Sequence, residues 1–239
     1  MWASRTLISG TILVKPQSST LPVIAIDGPA ASGKSTTARM VAKALGFRQA
    51  DSGSLYRAVA ASQIRLAGDN AKWSAASLLD AARSVTIEPV VGVFAVRVDG
   101  EDAEAELRSA AVTAHVSLVA SIPQVRTWVN TRMRDCAKAG PIVVDGRDMG
   151  TAVFPDAVLK VWLIAETGER ARRRSVELLG RDPSAEELAR EAAELVARDT
   201  KDATQTKPAA DAVHIDTTTL TRDEQVAQIV ALARERMRA

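Results

Sequence analysis

The chain has 239 residues, of which 46% are hydrophobic, 25% charged and 3% aromatic, with a formal net charge of +2. That length supports one sizeable core with room for an insertion, and so even a charge balance gives no reason to expect nucleic acid or a membrane surface as partner. The single cysteine, Cys136, excludes an internal disulfide and a cysteine zinc cluster, and His115 and His214 stand far apart with no metal-ligand spacing between them.

In chain order, the first stretch is MWASRTLISGTILVKPQSST. Its apolar part is broken by Gly10 and Thr11 and no small-residue cleavage site follows, so residues 1–21 read as a disordered leader and the compartment as cytoplasmic. No apolar run reaches the ~18 residues needed to span a bilayer. Val23–Ile26 reads as a short buried strand. A helix is predicted from Gly33 to Leu45, because Met40, Val41, Ala44 and Leu45 share a face, with Gly46 as its stop. Gln49–Asp51 closes a second extended stretch, and helices follow over Gly53–Ala67 and Lys72–Ala82. Val85, Ile87, Val91, Val93, Ala95 and Val96 then mark extended chain broken by Pro89 and Gly92, an antiparallel ribbon outside any alternating series. Residues 64–112 are therefore predicted to be an inserted subdomain.

Ala114 to Ala139 reads as helix interrupted by Pro123. Ile142–Val144 is a buried strand tipped by Asp145, and Val158–Ile164 is another. Helices are predicted over Glu169–Leu179 and Glu186–Ala197, a last strand over Ala212–Ile215 and a last helix over Glu224–Met237. Strands alternating with helices predict an α/β fold with a doubly wound parallel sheet and ligands at the strand C-termini.

The chemistry starts at VIAIDGPAASGKSTT. Gly28 and Gly33 let backbone N–H groups turn inward around a phosphate, and the following helix aims its N-terminus at the same point. The loop Gly28, Pro29, Ala30, Ala31, Ser32, Gly33, Lys34, Ser35, with Thr36, is the candidate ATP site. Lys34 reaches the outer phosphates and the Ser35 hydroxyl suits Mg²⁺. A phosphate loop names the nucleotide but not the reaction. No guanine-reading Asn-Lys-x-Asp is present, which sets GTPases aside.

Four further stretches carry charge toward the same crevice. In DSGSLYRAVA, Ser52, Tyr56 and Arg57 sit where a second strand gives way to a helix, Tyr56 and Arg57 on its first turn; a simple helix cap by Ser52 is the alternative. In IVVDGRDMGT, Asp145 stands at a strand tip, placed to hold Mg²⁺ through water, with Arg147 and Asp148 just beyond. GERARRRS puts Arg170, Arg172, Arg173 and Arg174 at a helix start, where positive charge opposes the dipole and hints at an anion. ARDTKDA sets Arg198 and Asp202 four apart on one helical face, an arrangement that a plain surface ion pair would also explain.

So many arginines with so few candidate bases is itself informative. An alcohol acceptor calls for a general base at its hydroxyl. A phosphate acceptor is already ionised near neutrality, and the difficulty is bringing two polyanions together and aligning them. The inventory favours a nucleoside monophosphate kinase with Lys34, Arg147, Asp145 and Arg198 as the catalytic set.

IAIDGPAASGKST, DSGSLYRAVA, DGRDMGTAVFPDA and PAADAVHIDTTTLT together resemble the bacterial cytidylate kinases, over roughly residues 22–237. The resemblance implies a five-stranded P-loop kinase fold with an antiparallel nucleotide-binding insertion and a helical lid over residues 168–184. It implies transfer of the ATP γ-phosphoryl group to CMP or dCMP with Mg²⁺, in a monomer without nucleic-acid or membrane partners. It also implies roles. Ser52, Arg126 and Asp148 match cytosine contacts, Asp202 and Ser117 match sugar contacts, and Arg57, Arg147 and Arg198 match phosphate contacts. Arg172 or Arg174 is the lid arginine that reaches the donor.

One position departs from the family pattern. The family usually has an arginine three residues after the position of Asp202; here it is Gln205, in a connection about four residues short. Weaker closure and weaker cytosine selectivity are the expected consequences, with Lys201 or Lys207 as substitutes lacking the planar fork. Two other functions stay open on the residues alone: a kinase for a small alcohol, and a nucleotide-binding sensor impaired in turnover.

Overall fold

In the computed structural model, residues 21–69 and 72–238 are described; the predicted leader, apart from Leu21, lies outside them. The first strand, β1 (Val23–Asp27), is buried along its whole length. Its side chains alternate between two cores: Ile24 and Ile26 face one, Val23 and Ala25 the other. A strand buried on both faces reads as a continuous apolar run, as VIAI does.

After β1 come α1 (Lys34–Leu45), β2 (Arg48–Asp51) and α2 (Ser52–Ala67). Gly46 ends α1 at φ 71°, the left-handed stop the sequence signalled. Next is α3 (Ala75–Ala81), shorter than the predicted Lys72–Ala82, because Ser74 and Ser77 form a capping box that fixes the start. The ribbon is a separate antiparallel sheet of β3 (Val85–Pro89), β4 (Phe94–Val98) and β5 (Glu101–Asp102). Asp99 and Gly100 have φ values of 54° and 79°, the two positive angles that a tight hairpin turn needs. Leu78, Val85, Phe94 and Val98 nevertheless belong to the core cluster that contains Ala25 and Ile142, so the inserted stretch shares the main core.

Helices α4 (Glu104–Leu107), α5 (Ala110–Ser121) and α6 (Pro123–Lys138) follow. Pro123 splits the predicted helical region as expected: Ile122 closes α5 in an extended conformation and Pro123, lacking an N–H, opens α6. The chain then returns through β6 (Ile142–Gly146), a short π-helical turn at Met149–Val153, β7 (Leu159–Ile164), α7 (Thr167–Leu179), α8 (Ala185–Asp202), β8 (Val213–Asp216) and α9 (Arg222–Arg238). Ser184 caps α8 with Glu187, and the helix runs on to Asp202, five residues past the predicted Ala197.

The main sheet has the order β2-β6-β1-β7-β8, every neighbouring pair parallel, with α1 and α9 packed on one face and α2, α5 and α6 on the other. The chain passes from β1 outward to β2, back to β6, then to the far side at β7. The order reverses at β1, so its C-terminal end and that of β6 open the crevice where such sheets bind ligands.

Candidate active site

The phosphate loop leaves β1 at Gly28 and enters α1 at Lys34. A Cβ on Gly28 would lie 2.2 Å from the Leu163 carbonyl oxygen, so the loop can approach β7 only with glycine there. Gly33, at φ 88°, is the N-cap of α1, and no side chain caps that end. The unpaired N–H groups of the first turn and the helix dipole make this end an anion site. Lys34 is buried, its Nζ donating to Pro29 O at 2.5 Å and Ser32 Oγ at 3.3 Å. Burial, then the Arg147 charge, holds the Lys34 ammonium well below its ordinary pKa, with Asp145 and Asp27 acting the other way.

Asp145, the penultimate residue of β6, pairs with Ile26 and is 1% exposed. One carboxylate oxygen accepts from the Ser35 hydroxyl at 2.5 Å and the other from the Gln49 amide at 2.6 Å. Burial, followed by the nearby Asp51, raises its carboxyl well above the usual range. Asp27, the last residue of β1, accepts from the N–H groups of Met149 and Gly150 at 2.9 and 2.8 Å, fastening β1 to the loop that carries Arg147 and Asp148. Burial pushes its carboxyl up to about 6. Sequence reasoning missed both Asp27 and Gln49. The signal for Asp27 was a charged residue closing a wholly apolar strand, which is costly without buried partners.

Across the crevice, guanidiniums from four elements converge: Arg57 on α2, Arg147 after β6, Arg174 on α7 and Arg198 on α8. Burial, then Arg147 and Arg57, brings the Arg198 pKa down to about 10. Arg57 is lowered by burial and by Arg174, Arg108 and Arg147, against Asp51. Arg57 donates to Leu107 O at 3.0 Å and Thr113 Oγ1 at 2.9 Å. Arg147 Nε and Arg198 Nε stand 3.6 and 3.9 Å from the same Asp202 oxygen, and both Nε atoms are buried without a hydrogen-bond partner. Mutually repelling cations with unspent donors form a site for a multiply charged anion.

Beside this cluster lies a second group of polar side chains. Arg126 Nη2 donates to Asp148, and Nη1 donates to Ala120 O at 3.1 Å and Gln205 Oε1 at 2.9 Å. The guanidinium carbon of Arg126 is 5.9 Å from the centre of the Tyr56 ring. The Tyr56 hydroxyl is buried without a partner, and burial pushes its phenol pKa up. Ser117 donates to the second Asp202 oxygen at 3.0 Å, and Ser52 to the Asp145 carbonyl at 2.9 Å.

Three details differ from expectation. Tyr56 and Arg57 fall on the second turn of α2, because Asp51 caps the helix and Ser52 already belongs to it. The anion expected at the start of α7 is supplied by the chain itself: Glu169 accepts from Arg172 and Arg173, and Arg170 donates to Asp199 at 2.6 Å. Lys201 and Lys207 are exposed, and Gln205 itself reaches Arg126. Of the two donor-side arginines named from the sequence, Arg174 is one of the four clustered guanidiniums. Arg172 borders a cleft of about 230 Å³ at the mouth of the loop, lined also by Gly33, Thr37, Leu220 and Arg222.

The profile of the cytidylate kinase family matches residues 24–235. The chain belongs to the cytidylate kinase family. Among its relatives, the cytidylate kinase of Pelotomaculum thermopropionicum is 48% identical over 161 residues, 67% of this chain and 71% of that one. The cytidylate kinase of Chloroherpeton thalassium is 44% identical over 164 residues, 69% of each chain, and that of Chromobacterium violaceum 44% identical over 168 residues, 70% and 73%. A crystal structure from Thermus thermophilus superposes with a TM-score of 0.44 at 17% identity, covering 90% of this chain and 98% of that one, too distant to bear on the assignment. For a cytidylate kinase, the crevice divides naturally into a phosphate loop, a guanidinium cluster and an acid–arginine pair.

Proposed function

We infer that the protein transfers the γ-phosphoryl group of ATP to CMP or dCMP, giving ADP and CDP or dCDP. The observation that carries this reading is the convergence of Arg57, Arg147, Arg174 and Arg198 opposite the phosphate loop. An acceptor phosphate, largely dianionic near neutrality, needs neutralisation and aim rather than a base. Each charged hydrogen bond to it contributes about 1.5–3 kcal/mol. Arg198 stays cationic at neutral pH even at about 10. The carboxylates of the crevice are all engaged: Asp145 by Ser35 and Gln49, Asp27 by two amides, Asp202 by Ser117, Asp148 by Arg126.

Asp148 and Arg126 supply the choice of base. Cytosine offers an amino donor where uracil has a carbonyl. An Asp148 oxygen accepts from that amino group, and Arg126 donates to the ring acceptors beside it. Uracil at the same place leaves buried polar groups unpaired, a strong basis for rejection. Ser117 and Asp202, bonded to each other beside Arg147 and Arg198, are suited to a sugar. On the donor side, Lys34 and the loop amides take the β- and γ-phosphates, and the cleft beside Arg172, Leu220 and Arg222 takes the nucleoside end of ATP.

The hydroxyl of Ser35 and the carboxylate of Asp145 are adjacent hard oxygen donors at the loop. Among the described residues no group of three or more His, Cys, Asp or Glu side chains gathers for a metal. That donor set suits Mg²⁺, which keeps water and substrate phosphate as most of its ligands. Bound there, Mg²⁺ neutralises phosphate charge. The reading includes a cytoplasmic monomer; no helix among the described residues is long and apolar enough to cross a membrane.

The test is a coupled ADP-release assay with CMP, dCMP, UMP and AMP as acceptors. CMP and dCMP should turn over fastest, and Lys34→Ala should cut kcat by about 10³-fold while leaving CMP affinity in place. Binding of CMP and ATP without CDP formation would instead mark a sensor.

A further inference from the structure

Ala30, the third residue of the phosphate loop, is gripped from outside the loop. Its N–H donates to Asp199 Oδ1 at 3.1 Å, and its carbonyl accepts from Arg170 Nη1 at 3.0 Å. The same Arg170 nitrogen donates to Asp199 Oδ2 at 2.6 Å, so two side chains and the backbone of one residue close a ring. Arg170 stands on the first turn of α7, is 6% exposed, and donates again to Thr167 Oγ1 at 3.1 Å. Asp199 stands on α8, next to Arg198. The Ala30 methyl is buried with Ala171 of α7 and Leu195 of α8. The next residue, Ala31, has φ 56°, a left-handed conformation that an alanine does not choose for itself.

An ion pair whose arginine is buried and whose aspartate is 28% exposed adds little stability by itself, because desolvation of the arginine offsets much of the attraction. Arg170 also carries a buried Nε without a partner. What the pair does uniquely is fix the position of a backbone segment whose amides must face a phosphate.

We propose that Arg170 and Asp199 are positioning residues for the phosphate loop: they hold Ala30, and with it the left-handed Ala31, so that the loop amides keep their aim at the donor phosphates. The pair also joins the first turn of α7 to α8 beside the loop. The proposal rests on the kinase reading only for the identity of the donor.

The experiment therefore separates the two. Binding of inorganic tripolyphosphate and of ATP, in the absence of CMP, is measured by calorimetry for the parent, Asp199→Asn, Arg170→Lys and the apolar double variant Arg170→Met/Asp199→Leu, alongside CMP binding and thermal unfolding. Each variant should bind tripolyphosphate and ATP about tenfold more weakly, as expected for a lost charged hydrogen bond, with CMP affinity within about twofold of the parent. The double variant, which leaves no unpaired charge, should unfold near the parent temperature and still show the loss. Unchanged tripolyphosphate and ATP binding in the folded variants overturns the proposal, as does an equal loss for CMP. Failure of the parent to make CDP would sink the kinase reading and leave this result standing.

Discussion

Arg126 of α6 and Asp148 of the loop after β6 form an ion pair, with the Tyr56 ring 5.9 Å from the guanidinium carbon and Gln205 accepting from Arg126 at 2.9 Å. Their side chains are only 18% and 12% exposed. On the proposed reading, an entering base would have to match a donor and an acceptor held by this pair, and preorganisation of that kind would turn one amino group into a large difference between substrates.

Asp148→Asn exchanges one acceptor for a donor at that point. We expect kcat/KM for CMP to fall about 100-fold, kcat/KM for UMP to fall far less or rise, and KM for ATP to stay within about twofold. The coupled assay with both pyrimidines gives the answer, and equal losses for CMP and UMP would remove Asp148 from the reading group.

Arg198 is held among like charges in a buried place, so it should serve binding at the expense of the fold. Arg198→Met is expected to raise KM for CMP by about 10- to 100-fold, the loss of one charged hydrogen bond. The unfolding temperature should stay level or rise, because repulsion with Arg57 and Arg147 is relieved. Steady-state kinetics with scanning calorimetry tests both halves. A lower unfolding temperature with unchanged KM contradicts the cluster.

Asp27 should give stability a pH dependence of unusual sign. Its carboxyl titrates near 6 in the fold and about 3.9 in the unfolded chain. Between those values the folded state keeps a proton that the unfolded state has released, so stability falls as pH rises through this window and levels off above it. The full difference is about 3 kcal/mol. Asp27→Asn cannot titrate. The stability of the variant relative to the parent should therefore climb between about pH 4 and pH 6.5, whatever constant offset the amide adds against the Met149 and Gly150 N–H groups. Urea unfolding of both proteins across that range measures the slope, and parallel curves would refute it.

Gln205→Leu removes the neutral acceptor of Arg126 without changing charge. About a tenfold drop in the preference for CMP over UMP is expected, with ATP binding unaffected, as for one lost hydrogen bond to a charged group. Competition kinetics between the two pyrimidines reads it, and an unchanged ratio means Gln205 is a bystander.

Much of this was legible in the residues. VIAID and IVVDG announced buried parallel strands because both faces are apolar, and Gly28, Gly33 and Lys34 announced the loop because each answers a local backbone or charge requirement. Pro123 marked its own helix boundary. What stayed hidden depends on distant partners. Asp27 meets Met149 and Gly150, Gln49 meets Asp145, and Arg170 meets Asp199. No spacing encodes such pairings. The arginine run divides for the same reason: Glu169 and Asp199 bond Arg170, Arg172 and Arg173, while Arg174 stands with Arg57 and Arg198. The family resemblance pointed to Arg126, whose helix position alone looks like a solvated face, and marked Gln205 as a departure without revealing that it would hold that arginine.

The turn between β3 and β4 reaches the outer strand of the main sheet: Gln49 N–H donates to Gly92 O at 3.0 Å, and Val93 bridges to Gln49. An outer strand with open amides invites a neighbouring molecule to add itself as a further strand. Here the chain covers part of that border with its own hairpin, so self-templated aggregation is discouraged along β2. The opposite border, four-residue β8 with exposed His214 and Asp216, relies on brevity and polarity instead.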